Sequence, residues 1–428
     1  MVSSVASKTT INKAEREASS GEIVIKEPYV KNLFEDGKFE IAHYTHFKAG
    51  RKDYFKAGFY FDYFMGNYVQ DVYSSKIPGT PKYWRRGIDY SGRYTQSNVY
   101  LNYLRKITQN TELVAGLSYK YLSLTRKYVL EPKLSASIQT GDKGTLSLGT
   151  GLYSKAPSLI HVNTEHFVYD DKGNVVSSSR NNGNLGYMKS FHSVAGYDHY
   201  FSPRLHLKTE VYYQRLYDVI TARTTSETEG LDNVYASLNE FSFSFDAIPA
   251  ILANHGKGEN YGLEMTLEHF MNDGFYFLAT GSVYNSRYRA VDKTWRNTRF
   301  NANFVTNLLG GKEFHIKDNL KILADLKLNF MNGNRYIPLL EKETLAKEEA
   351  VYDYSRTYTR HLPHFFRADI RIGYKTIGKK ITQEMAFEAQ NITNRKNVYM
   401  QQYNPDTKSL ETLYQNGITP MGLYRIYF

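Results

Sequence analysis

At 428 residues the chain has room for one large β-domain or two to three ordinary ones. Its formal charge of +11 is scattered along the sequence without a dense basic block, which argues against a nucleic-acid partner. No run approaches the ~18 apolar residues of a membrane-spanning helix, and the absence of cysteine suits a compartment where stray thiols would oxidise. Aromatics make up 15% of residues, 38 of them tyrosine, a side chain that favours surfaces apolar at one end and wet at the other.

Residues 1–36 are polar and charged, as in Lys13-Ala-Glu-Arg-Glu-Ala18, and read as a loop or the truncated edge of a larger element. The stretch after Met1 lacks the apolar core of a signal peptide. From about Lys38 the chain alternates apolar and polar positions. Leu113, Ala115, Leu117, Tyr119 and Tyr121 are interleaved with Gly116, Ser118 and Lys120. Leu205, Leu207, Val211 and Tyr213 oppose His206, Lys208, Glu210 and Gln214. Ile322, Ala324, Leu326 and Leu328 oppose Lys321, Asp325, Lys327 and Asn329. Met385, Phe387 and Ala389 oppose Glu384, Ala386 and Gln390. Period-two alternation over more than eight residues predicts half-buried strands, and one that faces lipid outward and water inward escapes a hydropathy average of −0.52.

Short polar turns are predicted at 50–53, 108–111, 141–144, 202–203, 272–274, 315–319 and 377–380. Longer links fall near 69–84, 155–185, 219–255, 338–362 and 395–420, with lesser ones near 122–128 and 289–295. About 15 strands result, with every short turn at one end and every long link at the other, the pattern of periplasmic turns and extracellular loops. Gly256 to Gly262 is expected to turn a loop sharply into a strand. Gln390-Asn391 and Asn394-Arg395 are expected to close a tight loop where a strand leaves the membrane. Trp295, Tyr284 and Tyr288 suit an interfacial aromatic girdle. The chain ends on Met421-Gly-Leu-Tyr-Arg-Ile-Tyr-Phe428, with Tyr424, Ile426 and Phe428 on one face and no polar tail.

These features resemble one family. Gly256-Lys-Gly-Glu-Asn-Tyr-Gly262, Trp295-Arg-Asn-Thr-Arg-Phe-Asn301, Gly310-Gly-Lys-Glu-Phe314, Phe366-Arg-Ala-Asp-Ile-Arg371, Gln390-Asn-Ile-Thr-Asn-Arg395, the Ser202 to Asp218 segment and the last strand look like the C-terminal barrel of a TonB-dependent outer-membrane receptor. The resemblance covers about 37–428. It implies an all-β, antiparallel transmembrane barrel in the outer membrane of a Gram-negative bacterium. A family barrel has about 22 strands, so roughly seven N-terminal strands, the plug domain, the TonB-contacting segment and the signal peptide have no counterpart here. The expectation is a receptor fragment, with a complete smaller barrel acting as a passive channel, or a surface adhesin, as alternatives. The implied partners are outer-membrane lipid and lipopolysaccharide, the barrel-insertion machinery (read through Tyr424, Ile426 and Phe428) and the missing N-terminal plug and strands. The TonB complex would be reached only through the missing part.

In the family, ligand meets the extracellular loops and the plug's outer face, so the implied contacts are loop residues that can stack or orient charge: His161, Tyr169, Asp170, Asp171, Arg180, Tyr352, Tyr354, Arg356 and Tyr358. Each could equally be a solvated loop residue. His43 and His46 lie three apart, on opposite faces of a strand, so they do not suggest a shared metal. Gly256-Lys-Gly-Glu-Asn-Tyr-Gly262 lacks phosphate-loop spacing, and no Ser/His/Asp pattern marks a nucleophile. No metal, cofactor or enzymatic activity is expected.

Overall fold

The computed structural model describes residues 2–16, 23–74, 83–163, 165–169, 175–180, 182–223 and 251–428. Its strands are β1 (Val2–Arg16), β2 (Ile23–Ala49), β3 (Asp53–Ser74), β4 (Tyr83–Lys106), β5 (Thr111–Leu122), β6 (Lys127–Gln139), β7 (Gly144–Lys155), β8 (Glu165–Tyr169), β9 (Val175–Arg180), β10 (Met188–Ser202), β11 (Leu205–Ala222), β12 (Leu252–Asn272), β13 (Phe275–Arg289), β14 (Trp295–Asn297), β15 (Phe304–Lys317), β16 (Leu320–Met331), β17 (Arg335–Tyr336), β18 (Arg360–His361), β19 (Phe365–Ile377), β20 (Thr382–Gln390), β21 (Val398–Asn404), β22 (Ser409–Tyr414) and β23 (Thr419–Tyr427). Two short helices, α1 (Leu159–Asn163) and α2 (Glu341–Lys347), lie in the links.

Sixteen long strands form one antiparallel meander in which each pairs with the next long strand in sequence, from β1 to β23. The three-residue β14 pairs beside the end of β13, and β8–β9, β17–β18 and β21–β22 are small hairpins within links. Among the described residues no ladder joins β1 to β23, which form the two edges.

Residues 1–36 contain β1 and the start of β2, which takes the long-strand count past the expected 15. Strands β2, β3 and β4 run for 27, 22 and 24 residues, whereas a tilted strand crosses a bilayer in about 9–11. The excess projects beyond the lipid, where both faces of a strand meet water, so its sequence carries little apolar alternation. The same extension shortens the links expected at 69–84 and 219–255, since β3 ends at Ser74 and β11 at Ala222. The seven short turns expected from the sequence lie on one rim, the four-residue β5–β6 turn at 123–126 lies on the other, and Gly50, Gly141 and Gly274 supply the positive φ that three of the seven use.

Cross-strand register separates the two faces. Val99, Tyr119 and Leu130 form one outward row, and Val211, Leu263 and Val283 another; all six are exposed, as lipid-facing residues are. On the opposite face of β5 and β6, Lys120 meets Glu131 at 2.7 Å and Lys133 meets it at 3.3 Å. This face lines the lumen.

Two local expectations are corrected. Gly256 to Gly262 turn no loop, because β12 runs unbroken through them. At Gly262 a Cβ would lie 2.9 Å from the Tyr212 hydroxyl and 2.8 Å from the Val283 carbonyl, so the glycine makes room for a lumen-facing ring and a closely packed neighbouring strand. Tyr284 and Tyr288 are not girdle residues: they share parity with Ser286 on the lumen face, opposite to Val283, and Tyr288 is buried. The outward aromatics at this level are Tyr213 and Tyr261, which pair with each other.

Candidate functional site

The link 156–187 turns inward from β7. Ser158 begins α1, its Oγ accepting the His161 N–H at 3.3 Å and pairing with the imidazole Nδ1. Val162 and Leu185 bury against Ile220 of β11 and Leu252 of β12. Tyr187 buries against Leu122 of β5 and Val129 of β6, which share the parity of Lys120 and Glu131. The link therefore folds onto the lumen wall. Asn254 ties it down, its Oδ1 accepting the Gly186 N–H at 2.8 Å and its Nδ2 donating to the Gly186 and Asp218 carbonyls. Further out, the Arg180 guanidinium donates to the Asp89 carbonyl of β4.

Burial, aided by the Lys155 ammonium, pushes the half-buried His161 imidazole down to about 4 from its ordinary 6.5. The folded link thus binds fewer protons than the unfolded chain between these values. The stability this imidazole contributes is full above pH 6.5 and is lost as pH falls toward about 4. An NMR titration of the His161 ring should show a midpoint well below 6.5; an ordinary midpoint would refute its burial.

A second assembly joins links 290–303 and 332–364 and reaches the lumen face where Tyr358 packs with Tyr288. Arg335 donates to the Asn301 carbonyl at 2.8 Å, the Asn303 Oδ1 at 2.9 Å and the Tyr358 carbonyl at 3.2 Å. Asn301 is fully buried, and its Nδ2 donates to Asn285 and Asn297. Tyr358 takes a positive φ and packs with Tyr288 and Ala290, so it anchors the link. Tyr352 and Tyr354 present half-buried rings 6.1 Å apart, and Arg356 pairs with Asp353. Hydrogen bonds from Ser355 and Arg356 hold the Asp353 carboxyl below its ordinary range.

Of the expected ligand contacts, His161 and Arg180 thus fall on one link, and Tyr352, Tyr354, Arg356 and Tyr358 on another of the same rim. Tyr169 closes β8, while Asp170 and Asp171 lie outside the described residues. Tyr424 and Ile426 pair with Met385 and Gln383 on the outward face of the last strand, and Phe428 is 98% exposed.

Below the links lies a polar row that single residues in the sequence do not announce. The Tyr153 ring tilts against His192 with centroids 4.6 Å apart. His192 Nε2 shares a 2.7 Å hydrogen bond with Gln214, and Asn260 Nδ2 donates to Gln214 at 2.6 Å. Ser286 Oγ donates to Asn260 at 2.6 Å, and Thr298 Oγ1 donates to Ser286 at 2.9 Å. The row crosses β7 and β10–β13 on the lumen face and reaches link 290–303. It offers neutral donors and acceptors beneath a mouth lined by aromatic and charged groups, an arrangement suited to orienting a polar solute.

Solved structures share this fold. The outer membrane transporter YddB from Escherichia coli superposes with a TM-score of 0.60 at 12% identity, over 98% of this chain and 58% of its own. The siderophore receptor PirA from Acinetobacter baumannii gives 0.61 at 14% identity, over 99% and 58%. The ferric yersiniabactin uptake receptor FyuA from Yersinia pestis gives 0.60 at 12%, over 95% and 57%. This chain therefore spans a little over half the length of the structures it matches. A comparison with curated protein sequences finds no match. Residues 15–392 match the family described as TonB dependent receptor-like, beta-barrel, and the chain accordingly belongs to the TonB-dependent receptor family, as part of its β-barrel.

Proposed function

We propose that this chain forms the barrel wall and extracellular mouth of an outer-membrane receptor for TonB-energised uptake of a scarce or bulky solute. The observation carrying this reading is the pair of links folded into the lumen above the His192–Gln214–Asn260–Ser286 row. A wall that recruits its own loops inward builds a binding mouth rather than a bare pore. Siderophore-type chelates are the first class to test, since two of the compared structures carry siderophore or yersiniabactin in their names; cobalamin, oligosaccharides and peptides come next. His161, Arg180, Tyr352, Tyr354 and Arg356 are the proposed ligand contacts, with Tyr169, Asp170 and Asp171 on the same link as the first two. The TonB complex would be engaged through a part of the receptor beyond this barrel region.

The test is accumulation of a labelled ferric siderophore by cells carrying the whole gene, with and without a working TonB complex. Uptake lost on gene deletion and on TonB loss supports the reading. TonB-independent flux would indicate a passive channel, and binding without uptake an adhesin. Tyr424, Ile426 and Phe428 are proposed as the signal to the insertion machinery, so deleting Phe428 should lower the folded protein recovered in outer-membrane fractions. Unchanged recovery would remove that role.

A further inference from the structure

The polar row beneath the links runs in one hydrogen-bond direction. Thr298 donates to Ser286, Ser286 to the Asn260 Oδ1, and the Asn260 Nδ2 to the Gln214 Oε1. The Gln214 amide nitrogen can only donate, so the His192 Nε2 at 2.7 Å accepts from it and the imidazole is neutral. A side-chain amide has two N–H groups and two lone pairs. The row uses one of each on Gln214 and on Asn260, which leaves a donor and an acceptor on both for a solute. Both side chains are half-buried, as is that of Ser286. At the β7 end the Tyr153 ring, 41% exposed, stands beside His192. From Tyr153 to Ser286 the ladders of β7, β10, β11, β12 and β13 give four strand spacings of about 4.8 Å, roughly 19 Å in all.

The cations around this row are already committed. Lys133, level with it on β6, lies 4.5 Å over the Tyr153 ring and 3.3 Å from Glu131, and Lys120 reaches the same carboxylate at 2.7 Å. Nearer the mouth, Lys189 pairs with Asp218 at 2.9 Å and Arg296 with Asp292 at 2.6 Å. Lys155 lies beyond the row on β7, where its charge bears on His161. An anionic chelate is held by cations free to face it. A line of neutral donors and acceptors instead matches hydroxyl groups, each of which both donates and accepts. The C–H face of a sugar ring packs on an exposed aromatic ring while the hydroxyls at its edge take hydrogen bonds. Tyr153 at the head of the amide row supplies both contacts on one wall.

We propose that the His192–Gln214–Asn260–Ser286 row, headed by Tyr153, takes an uncharged oligosaccharide longer than one sugar ring. This rests on the receptor reading above and narrows its solute classes to one. The test uses the detergent-purified full receptor and isothermal calorimetry. The probes are three neutral hexasaccharides (maltohexaose, cellohexaose and mannohexaose), hexagalacturonate as a carboxylated counterpart, and an anionic ferric tris-catecholate. At least one neutral hexasaccharide should bind at least tenfold more tightly than hexagalacturonate or the chelate. Asn260→Leu, similar in size but without polar atoms, should weaken that binding at least tenfold. Tyr153→Leu should weaken it several-fold, whereas Tyr153→Phe, which keeps the ring, should bind like the parent. This pair, at an exposed residue, guards against misfolding of Asn260→Leu. Thr280→Ala, deeper on the lumen face of β13, should leave binding unchanged. Equal or tighter binding of hexagalacturonate or the chelate, no binding of any neutral hexasaccharide, or full binding by both Asn260→Leu and Tyr153→Leu would each overturn the proposal. Uptake is scored separately in cells. Sugar binding with TonB-independent entry would sink the receptor reading and keep the assignment of the row, while TonB-dependent uptake of the chelate with no sugar bound would do the reverse.

Discussion

Leu267→Arg should lower the unfolding free energy of the membrane-inserted barrel by ~2–4 kcal/mol, while Thr266→Arg, one residue away, should change it by about 0.5 kcal/mol or less. Leu267 pairs with Leu207 and Ala279 in an outward row lying well inside the Tyr213–Tyr261 boundary. An arginine there must sit in hydrocarbon or drag water to it. Thr266 has the opposite parity, beside Lys208 and Thr280, and an arginine at that position extends into the aqueous lumen, where extra like charge is screened. Urea unfolding in lipid vesicles, followed by heat-modifiable gel migration, would measure both. Similar losses for the two variants would mean that the assigned faces of β12 are wrong.

The second large effect is expected at Asn391, which begins the link after β20. Its N–H donates to Asp369 Oδ1 at 2.9 Å, and its Nδ2 donates to the Arg395 and Asn416 carbonyls at 3.0 and 3.1 Å. Its Oδ1 accepts from Thr393 and Arg395, and its φ is 52°. Alanine would leave buried carbonyls unpaired, at about 1–3 kcal/mol, and would place a Cβ in the left-handed region at about 1 kcal/mol more. Asn391→Ala should therefore destabilise by about 2–4 kcal/mol and expose link 391–418 to protease. Asn391→Gly keeps the backbone conformation and should recover about 1 kcal/mol of that loss. A protease-resistant alanine variant would show that the side chain does not close this loop. Neighbouring Asn397 completes the tie, bonding both the N–H and the carbonyl of Phe366 at the start of β19.

Much of this architecture was legible in the amino-acid order. The alternation that runs on from Leu113, and again from Ile322, described a two-faced strand in each place. The contrast of short turns with long links assigned the two rims. Both signals depend only on spacing within one strand or turn. The Gln390 to Arg395 stretch was readable as a loop closure for the same reason: most of Asn391's partners lie within 25 positions in sequence. The polar stretch 1–36 misled because strands that rise beyond the lipid need no apolar face.

Residue order alone thus carried the period, the short turns, the strands between them and the family. Strand pairing decided which residues meet. A one-residue change of register would send every side chain of a strand to the other face, so His192, Gln214, Asn260 and Ser286 become a row only once four strands are paired. The same pairing turned Tyr284 and Tyr288 inward and left Arg287 and Arg289 outside. It also decided that the links fold into the lumen, because the partners that bury Tyr187 and Tyr358 lie on strands distant in sequence, where spacing carries no information about approach.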